Sequence, residues 1–295
     1  MKEIVVISGK GGTGKTSVAA SFAASANDRA VMVDCDVDAA DLHLILYPRI
    51  LDTHPFHSGH KAVILQEKCI GCGNCLSFCR FDAVVKVALP NQNSLYQIDP
   101  VSCEGCGVCV RFCPVTAVDF PENQCGEWYE SFTRFGPLVH ARLGVAAENS
   151  GRLVTLLRQK AKEIAESAKA DYVIIDGSPG IGCPVIASLT GADAALIVTE
   201  PTISGEHDFQ RVMELTKKLG VPAMVCVNKW DINPAKTDEI LQLAEANGLT
   251  CVGNIHYGNA VTEAQCAGQT VIEYGEPCMA GDFGNVWKNT IALLK

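Results

Sequence analysis

The chain has 295 residues, of which 48% are hydrophobic and 19% are charged, so it can bury one large α/β core or two smaller ones. Its formal net charge of −9 repels phosphates, which argues against nonspecific binding to nucleic acid or to an anionic membrane. We find no signal peptide and no apolar run approaching the roughly 20 residues of a membrane span. We therefore expect a protein of the reducing cytoplasm, without nucleic-acid partners.

The chain begins with a predicted strand over residues 4–7, a glycine-rich loop and a predicted helix over 15–26. The loop fits the phosphate-binding pattern G-x-x-x-x-G-K-[ST]. Glycines let the backbone wrap round phosphates, and the N-terminus of the helix adds N–H donors. Lys15 is expected to reach the β- and γ-phosphates, and the Thr16 hydroxyl is expected to bind Mg²⁺. The predicted nucleotide-binding residues of this segment are Gly9, Lys10, Gly11, Gly12, Thr13, Gly14, Lys15, Thr16 and Ser17.

Further predicted strands cover residues 30–33, 172–175, 194–198 and 223–227, and each is apolar on both faces. Such runs are typical of a parallel sheet covered by helices on both sides. Between them, apolar residues from Leu153 to Ala168 recur at helical spacing, with Asn149 or Ser150 as the expected cap. The pattern predicts a doubly wound, mostly parallel α/β fold of the P-loop NTPase type.

Two cysteine runs interrupt this pattern. Each reads C-x2-C-x2-C-x3-C, the spacing with which bacterial ferredoxins bind [4Fe–4S] clusters, and short apolar pairs flank both runs in the same way. We predict an inserted α+β ferredoxin-like domain over residues 61–122, between the two parts, 1–60 and 123–295, of a discontinuous ATPase domain. The runs are Cys69, Cys72, Cys75 and Cys79, then Cys103, Cys106, Cys109 and Cys113.

In two-cluster ferredoxins the fourth cysteine of each run binds the cluster of the other run. This rule predicts two ligand sets, each with three cysteines of one run and one of the other. Zinc is the alternative, but four-cysteine zinc sites usually pair two distant C-x2-C segments, which these compact runs do not match. The predicted sets are Cys69, Cys72, Cys75 and Cys113 for cluster I, and Cys103, Cys106, Cys109 and Cys79 for cluster II.

The segment Lys10-Gly-Gly-Thr-Gly-Lys15 resembles the deviant Walker A motif of the MinD/Mrp superfamily of P-loop ATPases. Over nearly its whole length, the chain resembles members that contain an inserted two-cluster ferredoxin domain. The resemblance implies a dimer around ATP, either a homodimer or a heterodimer with a paralogous ATPase, in which Lys10 reaches the partner's nucleotide. It also implies that Asp36 lies near Mg²⁺ and the attacking water, and that Asp176 holds Mg²⁺ through water. The implied catalytic residues are Lys10, Lys15 and Asp36, and the implied Mg²⁺ residues are Thr16, Asp36 and Asp176.

The segment Asn228-Lys-Trp-Asp231 ends another predicted strand and resembles a base-recognition loop. In the superfamily the asparagine contacts adenine, so Asn228 and Asp231 are added to the predicted nucleotide site. The full N-K-x-D pattern also occurs in GTPases, where its aspartate selects guanine. Lys10 favours ATP as the nucleotide.

Cys183 lies seven residues after Asp176, like the cysteine of nitrogenase reductase that binds a cluster shared across the dimer. The chain has no clear equivalent of that enzyme's second cysteine, and it lacks the late C-x-x-C of carrier-type relatives. Two hypotheses stay open for Cys183, a buried thiol beside the switch region and a ligand of a transient bridging cluster.

These motifs predict an ATPase that couples nucleotide-driven dimer switching to electron transfer through iron–sulfur clusters, in support of metallocluster or iron–sulfur protein maturation. Its expected partner is a redox protein or an apo-metalloprotein client. The alternatives are a cluster scaffold or carrier and a positioning ATPase with structural clusters. Near the C-terminus, an amphipathic stripe is predicted to dock on the core, and it consists of Phe283, Val286, Trp287, Ile291 and Leu294.

Overall fold

The computed structural model describes residues 1–87, 95–144 and 150–294. These residues form two compact units. The first unit comprises Met1–His54, Glu127–Leu143 and the chain from Ser150 onward, and the second comprises Pro55–Gly126 together with Gly144. Asn149, one of the two predicted helix caps, lies outside the described residues.

The described residues contain thirteen strands, eleven α-helices and one short 3-10 helix, at Trp230–Ile232. The strands are β1 (Lys2–Ser8), β2 (Ala30–Asp34), β3 (Arg49–His60), β4 (Val63–Ile64), β5 (Val84–Val87), β6 (Leu95–Ile98), β7 (Val118–Asp119), β8 (Glu122–Thr133), β9 (Gly136–Leu143), β10 (Tyr172–Pro179), β11 (Ala194–Thr199), β12 (Ala223–Asn228) and β13 (Thr250–Ile255). The helices are α1 (Lys15–Ala26), α2 (Leu42–Leu46), α3 (Asn74–Phe78), α4 (Val108–Arg111), α5 (Ser150–Ala168), α6 (Cys183–Leu189), α7 (Ile203–Leu219), α8 (Pro234–Ala246), α9 (Ala260–Cys266), α10 (Val271–Tyr274) and α11 (Pro277–Ala292).

One nine-stranded sheet has the strand order β13-β12-β11-β1-β10-β2-β9-β8-β3. Its pairings from β13 through to β9 are all parallel, which confirms the predicted mostly parallel α/β fold. Strands β3, β8, β9 and β13 were not predicted from the sequence. The chain passes from the first unit to the second within β3.

The core of the first unit lies between this sheet and its helices. Residues 4–7 of β1 have no exposed surface, because β1 is central in the sheet and is covered on both faces. Helix α11 packs into the same cluster through Phe283, Val286 and Trp287, and the Trp287 ring lies 4.9 Å from the ring of Phe22. The predicted docking of the C-terminal stripe is therefore confirmed. No helix within the described ranges is long and apolar enough to cross a membrane.

The second unit repeats one arrangement twice. Strand β4 pairs antiparallel with β7, and strand β5 pairs antiparallel with β6. Each cysteine run contains one short helix, α3 in the first run and α4 in the second. The residues before these helices, Gly73 and Gly107, have φ angles of 77° and 72°, a backbone conformation that glycine adopts without steric cost. The two runs thus share both their sequence spacing and their backbone path.

Candidate functional site

The glycine-rich loop joins the end of the central strand β1 to the start of α1. Gly14 has a φ of 88°, and a Cβ at this position would lie 2.3 Å from Asn228 Nδ2. Only glycine fits there, because both the backbone angle and the close approach exclude a side chain. By contrast, a Cβ at Gly11 would contact nothing within 4 Å among the described residues. The loop is tightly packed at its base and open at its tip.

Lys15 and two carboxylates meet at the start of α1. Lys15 Nζ lies 2.6 Å from Asp176 Oδ1 and 3.4 Å from Asp36 Oδ2, although the three residues come from distant parts of the sequence. Burial lowers the pKa of Lys15, but the two carboxylates outweigh it and hold the pKa above its ordinary value. Thr16 Oγ1 accepts a hydrogen bond of 3.4 Å from the same Nζ. The fold therefore brings together Lys15, Thr16, Asp36 and Asp176.

Asp34 is a further acidic residue of this site, to which sequence reasoning assigned no role. It is the register partner of Asp176 on neighbouring strands and is fully buried. Its carboxylate accepts hydrogen bonds from the backbone N–H groups of Asp36 and Leu42, at 3.1 Å each. Burial, followed by the Asp176 charge, holds the pKa of Asp34 well above its usual range. Asp34 thus holds both ends of the segment from Asp36 to Leu42. Its position at the end of a strand, next to Asp176, was the signal from which its role could have been predicted.

Two buried oxygen atoms of this site have no hydrogen-bond partner among the described residues, Asp176 Oδ2 and Thr13 Oγ1. A buried polar atom without a partner costs free energy unless a ligand or water satisfies it. Carboxylate and hydroxyl oxygens are the ligand types that Mg²⁺ prefers, directly or through water. Asp36 lies beside them, and burial raises the pKa of its carboxyl against the opposing effect of Lys15. These residues fit a hydrated Mg²⁺ and a phosphate group.

Lys10 is held by residues that follow strand β11 of its own chain. Its Nζ lies 2.6 Å from Glu200 Oε1 and donates a hydrogen bond of 2.9 Å to Ser204 Oγ. Lys229 Nζ lies 3.1 Å from the other Glu200 oxygen and donates to Gly12 O at 3.1 Å. Burial raises the pKa of Glu200, but the hydrogen bonds from the two lysines outweigh it and lower the pKa overall. Glu200 therefore joins Lys229 to Lys10, which is part of the phosphate loop.

The predicted base-recognition residues are engaged with the protein itself. Asn228 donates from Nδ2 to Thr13 O at 2.8 Å, and its Oδ1 accepts from the Lys229 N–H at 2.9 Å. Asp231 Oδ1 accepts from the Tyr257 N–H at 2.7 Å. The structure thus brings Asn228 to the phosphate loop and places Asp231 beside the end of β13.

Two other predicted residues are Ser17, whose nucleotide contact stays a prediction, and Cys183. Ser17 is buried in α1, where its hydroxyl accepts a hydrogen bond of 2.9 Å from Gln265 Nε2 of α9, so its side chain serves helix packing. Cys183 is exposed as the first residue of α6, and the prediction of a buried thiol at this position is wrong. The helix has few residues and its first turn lies at the surface, which the sequence spacing after Asp176 does not reveal.

The eight cysteines of the two runs line two cavities. The first is lined by three cysteines of the first run and by Cys113, and the second by three cysteines of the second run and by Cys79. Each cavity is therefore completed by the fourth cysteine of the opposite run. The remaining lining cysteines are Cys69, Cys72 and Cys75 in the first cavity and Cys103, Cys106 and Cys109 in the second.

The surroundings of the cavities are apolar, with backbone donors directed at sulfur. The Ala117 N–H donates to Cys113 Sγ at 3.2 Å, and the buried residues Ile64 and Val84 line the cavities, whereas Cys72 and Cys106 are exposed. Burial raises the pKa of the Cys75 and Cys109 thiols, one in each cavity. Four thiols around an apolar cavity suit a cluster with four cysteine ligands.

The phosphate loop joins a central strand of a mostly parallel sheet to the helix that follows, and this arrangement defines a P-loop NTPase fold. The family model "CobQ/CobB/MinD/ParA nucleotide binding domain" matches residues 4–271. The chain belongs to this family.

Three relatives illustrate the range of similar proteins. An uncharacterized protein of Methanocaldococcus jannaschii is 35% identical over 234 residues, which cover 78% of this chain and 79% of that protein. An iron–sulfur cluster carrier protein of Pyrococcus abyssi is 28% identical over 159 residues, covering 49% of this chain and 53% of the carrier. The septum site-determining protein MinD of Pyrococcus horikoshii, solved with Mg-ADP, has a TM-score of 0.60 and 17% identity over 99% of this chain and 96% of that chain. This last likeness shows the fold alone.

Proposed function

We propose that this protein binds and hydrolyses ATP with Mg²⁺, carries two [4Fe–4S] clusters, and couples nucleotide-driven dimer switching to electron transfer. The observation that carries the proposal is the pair of cysteine cavities in a chain that also has a phosphate loop. The proposed ferredoxin-like module keeps the predicted bounds 61–122. The electrons would support the maturation of a metallocluster or an iron–sulfur protein.

The convergence of Lys15, Asp36 and Asp176 supports the nucleotide half of the proposal. Lys15 stays protonated and would neutralise the β- and γ-phosphates, while Thr16 and Asp176 would hold Mg²⁺. Asp36 would orient the attacking water, since positioning and charge neutralisation supply most of phosphoryl-transfer catalysis. The similar fold of the MinD of Pyrococcus horikoshii was solved with Mg-ADP, which supports a nucleotide with Mg²⁺ as the ligand.

The completion of each cavity by the opposite run supports the cluster half of the proposal. When bound, the two clusters would supply one-electron transfer. The chain's own part would be to provide four thiolates per cluster, to donate backbone hydrogen bonds such as that from Ala117 to Cys113, and to pack apolar side chains such as Ile64 and Val84 against the clusters. Such hydrogen bonds to sulfur and the apolar surroundings tune the reduction potential.

The order of elements along the chain supports coupling between the halves. The segment with Asp36 ends at Leu42, whose N–H is held by Asp34, and α2 follows directly. Arg134 then holds the last turn of α2 by donating to Leu46 O at 2.9 Å and Ile45 O at 3.1 Å. Strand β3 begins three residues after α2 and carries the chain into the second unit. A nucleotide-driven shift of this segment would act on a short, anchored connection.

A second candidate function is delivery of an assembled cluster to an apo-metalloprotein client. The relative named as an iron–sulfur cluster carrier protein favours it, although the match covers about half of each chain. The exposed thiol of Cys183 also fits this function, as a ligand of a transient cluster bridging two subunits. A positioning ATPase with purely structural clusters is the third candidate, with support from the MinD-like fold alone.

One anaerobic experiment separates the first two functions. The reduced, cluster-loaded protein is mixed with a low-potential redox dye or with an apo-ferredoxin, with and without MgATP. Electron transfer whose rate depends on ATP, with iron retained on the chain, supports the first function. Loss of iron to the apo-protein supports the second. Protein that purifies anaerobically with zinc in place of iron at the eight cysteines, or without iron, contradicts both.

Two variants sharpen this experiment. The Asp36→Asn variant should bind MgATP, because Asp176 remains. ATP should no longer change its rate of electron transfer to the dye, because the carboxylate beside Lys15 is removed. Cys183→Ser should leave about eight iron atoms per subunit in place, four for each cluster. Iron above eight per subunit in the ATP-bound dimer, lost in Cys183→Ser, would instead establish the bridging cluster.

A further inference from the structure

Three side chains with metal-binding atoms converge in the first unit, outside the phosphate loop. His256 directly follows strand β13, and Cys278 and Asp282 lie in the first part of helix α11. One ligand atom from each residue lies within 4.8 Å of the other two. We propose that His256, Cys278 and Asp282 form a binding site for a divalent cation of the zinc class.

The distances between these atoms are close to those of a coordination site. Cys278 Sγ lies 3.8 Å from His256 Nδ1, and Asp282 Oδ2 lies 2.7 Å from the same nitrogen. A tetrahedral zinc ion with bonds of about 2.0 to 2.3 Å holds its ligand atoms about 3.3 to 3.7 Å apart. The sulfur–nitrogen distance exceeds this range by about 0.1 Å, and the oxygen–nitrogen distance must lengthen by about 0.6 Å. The cation thus takes the place of the hydrogen between His256 Nδ1 and Asp282 Oδ2.

Cys278 and Asp282 lie on a helix that the core holds in place, and His256 directly follows a strand of the sheet. Cys278 and Asp282 are four residues apart in one helix, which puts both on the same face. Helix α11 packs into the core through Phe283 and Val286, and β13 is paired with β12. Asp282 Oδ2 also accepts the backbone N–H of His256 at 3.0 Å, which holds the end of β13 against the helix. Ligands on regular elements need little rearrangement to bind a metal.

The chemistry of the three ligands selects the metal. A thiolate, an imidazole and a carboxylate suit zinc and similar first-row ions, whereas Mg²⁺ and Ca²⁺ prefer oxygen ligands alone. Three protein ligands leave a fourth position for water. The site is accessible to ions, since Cys278 is exposed and His256 is partly exposed. The alternative is a hydrogen-bonded His256–Asp282 pair that only ties β13 to α11, and in it Cys278 has no part.

Cobalt titration of the full, cluster-loaded chain tests the site, because cobalt bound to thiolate in a tetrahedral site absorbs strongly. Without nucleotide and under anaerobic conditions, we expect one Co²⁺ per chain with thiolate-to-cobalt absorption, displaced by Zn²⁺. Cys278→Ser should remove the absorption and weaken binding at least tenfold. Cys266→Ser, which changes another exposed thiol at the end of α9, should leave both unchanged.

A second variant guards against indirect effects of the first. Asp282→Asn keeps an oxygen that accepts the His256 N–H, so the helix and strand stay joined while the anionic ligand is lost. It should weaken Co²⁺ binding at least tenfold, with unchanged iron content and circular dichroism. Failure to bind one Co²⁺, or binding and absorption that Cys278→Ser leaves intact, would overturn the proposal.

Discussion

Lys10 Nζ lies 2.6 Å from Glu200 Oε1 of the same chain. The resemblance to deviant Walker A ATPases implies that Lys10 acts on the nucleotide of a partner subunit. We propose that formation of the ATP-bound dimer breaks this ion pair, because Lys10 cannot do both at once. The pair would then be a resting position from which the lysine is released.

Lys10→Ala should abolish most ATP turnover while leaving ATP binding nearly unchanged. A cation supplied by the partner stabilises charge in the transition state, and such groups contribute about 10³-fold or more to phosphoryl transfer. Phosphate release and nucleotide affinity, measured over a range of protein concentrations, check this. Lys217→Ala, which removes an exposed lysine of α7, serves as the control. Equal loss of binding and turnover would assign Lys10 to its own nucleotide.

Glu200→Gln should favour the ATP-bound dimer, because Lys10 no longer has to leave an anion. A partly exposed ion pair contributes up to about 1 kcal/mol, so we expect the dimer dissociation constant to fall roughly two- to fivefold. Analytical ultracentrifugation with a non-hydrolysable ATP analogue measures it. Glu206→Gln is a matched control, because it removes a 2.8 Å ion pair with Lys236 that does not involve Lys10. A weaker dimer in Glu200→Gln would contradict the resting-position model of this pair.

Gly14→Ala and Gly11→Ala should differ sharply in stability. The Cβ at position 14 would lie 2.3 Å from Asn228 Nδ2 at a φ of 88°, whereas the Cβ at position 11 would meet nothing within 4 Å among the described residues. We expect Gly14→Ala to lower the free energy of unfolding by about 1 to 3 kcal/mol, from backbone strain and displacement of Asn228. Urea unfolding without nucleotide compares the two variants. Similar losses in both would mean that the Asn228 contact carries no stability.

A series of cysteine variants tests which cysteine completes each cluster. Cys72→Ala/Cys75→Ala should lose the first cluster and retain about four iron atoms per chain. Adding Cys113→Ser to this variant should leave the remaining iron in place, because that thiol belongs to the cavity already emptied. Adding Cys79→Ser should remove the remaining iron, because it completes the second cavity. Iron analysis and electron paramagnetic resonance distinguish this from pairing within each run, which predicts the reverse.

The buried His140 should make the protein less stable at acidic pH. Burial, with a smaller effect of His43, lowers its pKa to about 4. Between pH 4 and the ordinary pKa of about 6.5 the unfolded chain binds more protons than the folded one, so stability falls as the pH falls through this window. At pH 5 the cost is about 2 kcal/mol relative to neutral pH, from the difference between the two pKa values.

His140→Gln should reduce this loss, because glutamine can still bond to Ser131 but does not titrate. We expect the difference in unfolding free energy between pH 7 and pH 5 to shrink by about 2 kcal/mol. His207→Gln, at an exposed position, should not change it. An unchanged pH dependence in His140→Gln would show that folding does not shift the pKa of this histidine.

Local patterns predicted the elements of the site well, because they depend on neighbours in the chain. The loop before Lys15, the strand ending at Asp34 and the two cysteine runs are each defined by spacing within a few residues. The buried strands were recognisable since a parallel sheet covered on both faces needs continuous apolar runs. The strands β3, β8 and β9 were missed because polar residues interrupt their sequences, so that none of them forms a continuous apolar run.

The amino-acid sequence by itself determined the phosphate loop, the parallel sheet and the eight-cysteine pattern. Only the tertiary structure decided that Glu200 holds Lys10, that Asp34 stands in register with Asp176, and that Cys183 is exposed. These relationships depend on strand order and on contacts between residues more than a hundred positions apart, which no local spacing encodes. Packing of α11 against the end of β13 likewise brings His256 to Cys278 and Asp282, which lie 22 and 26 positions away.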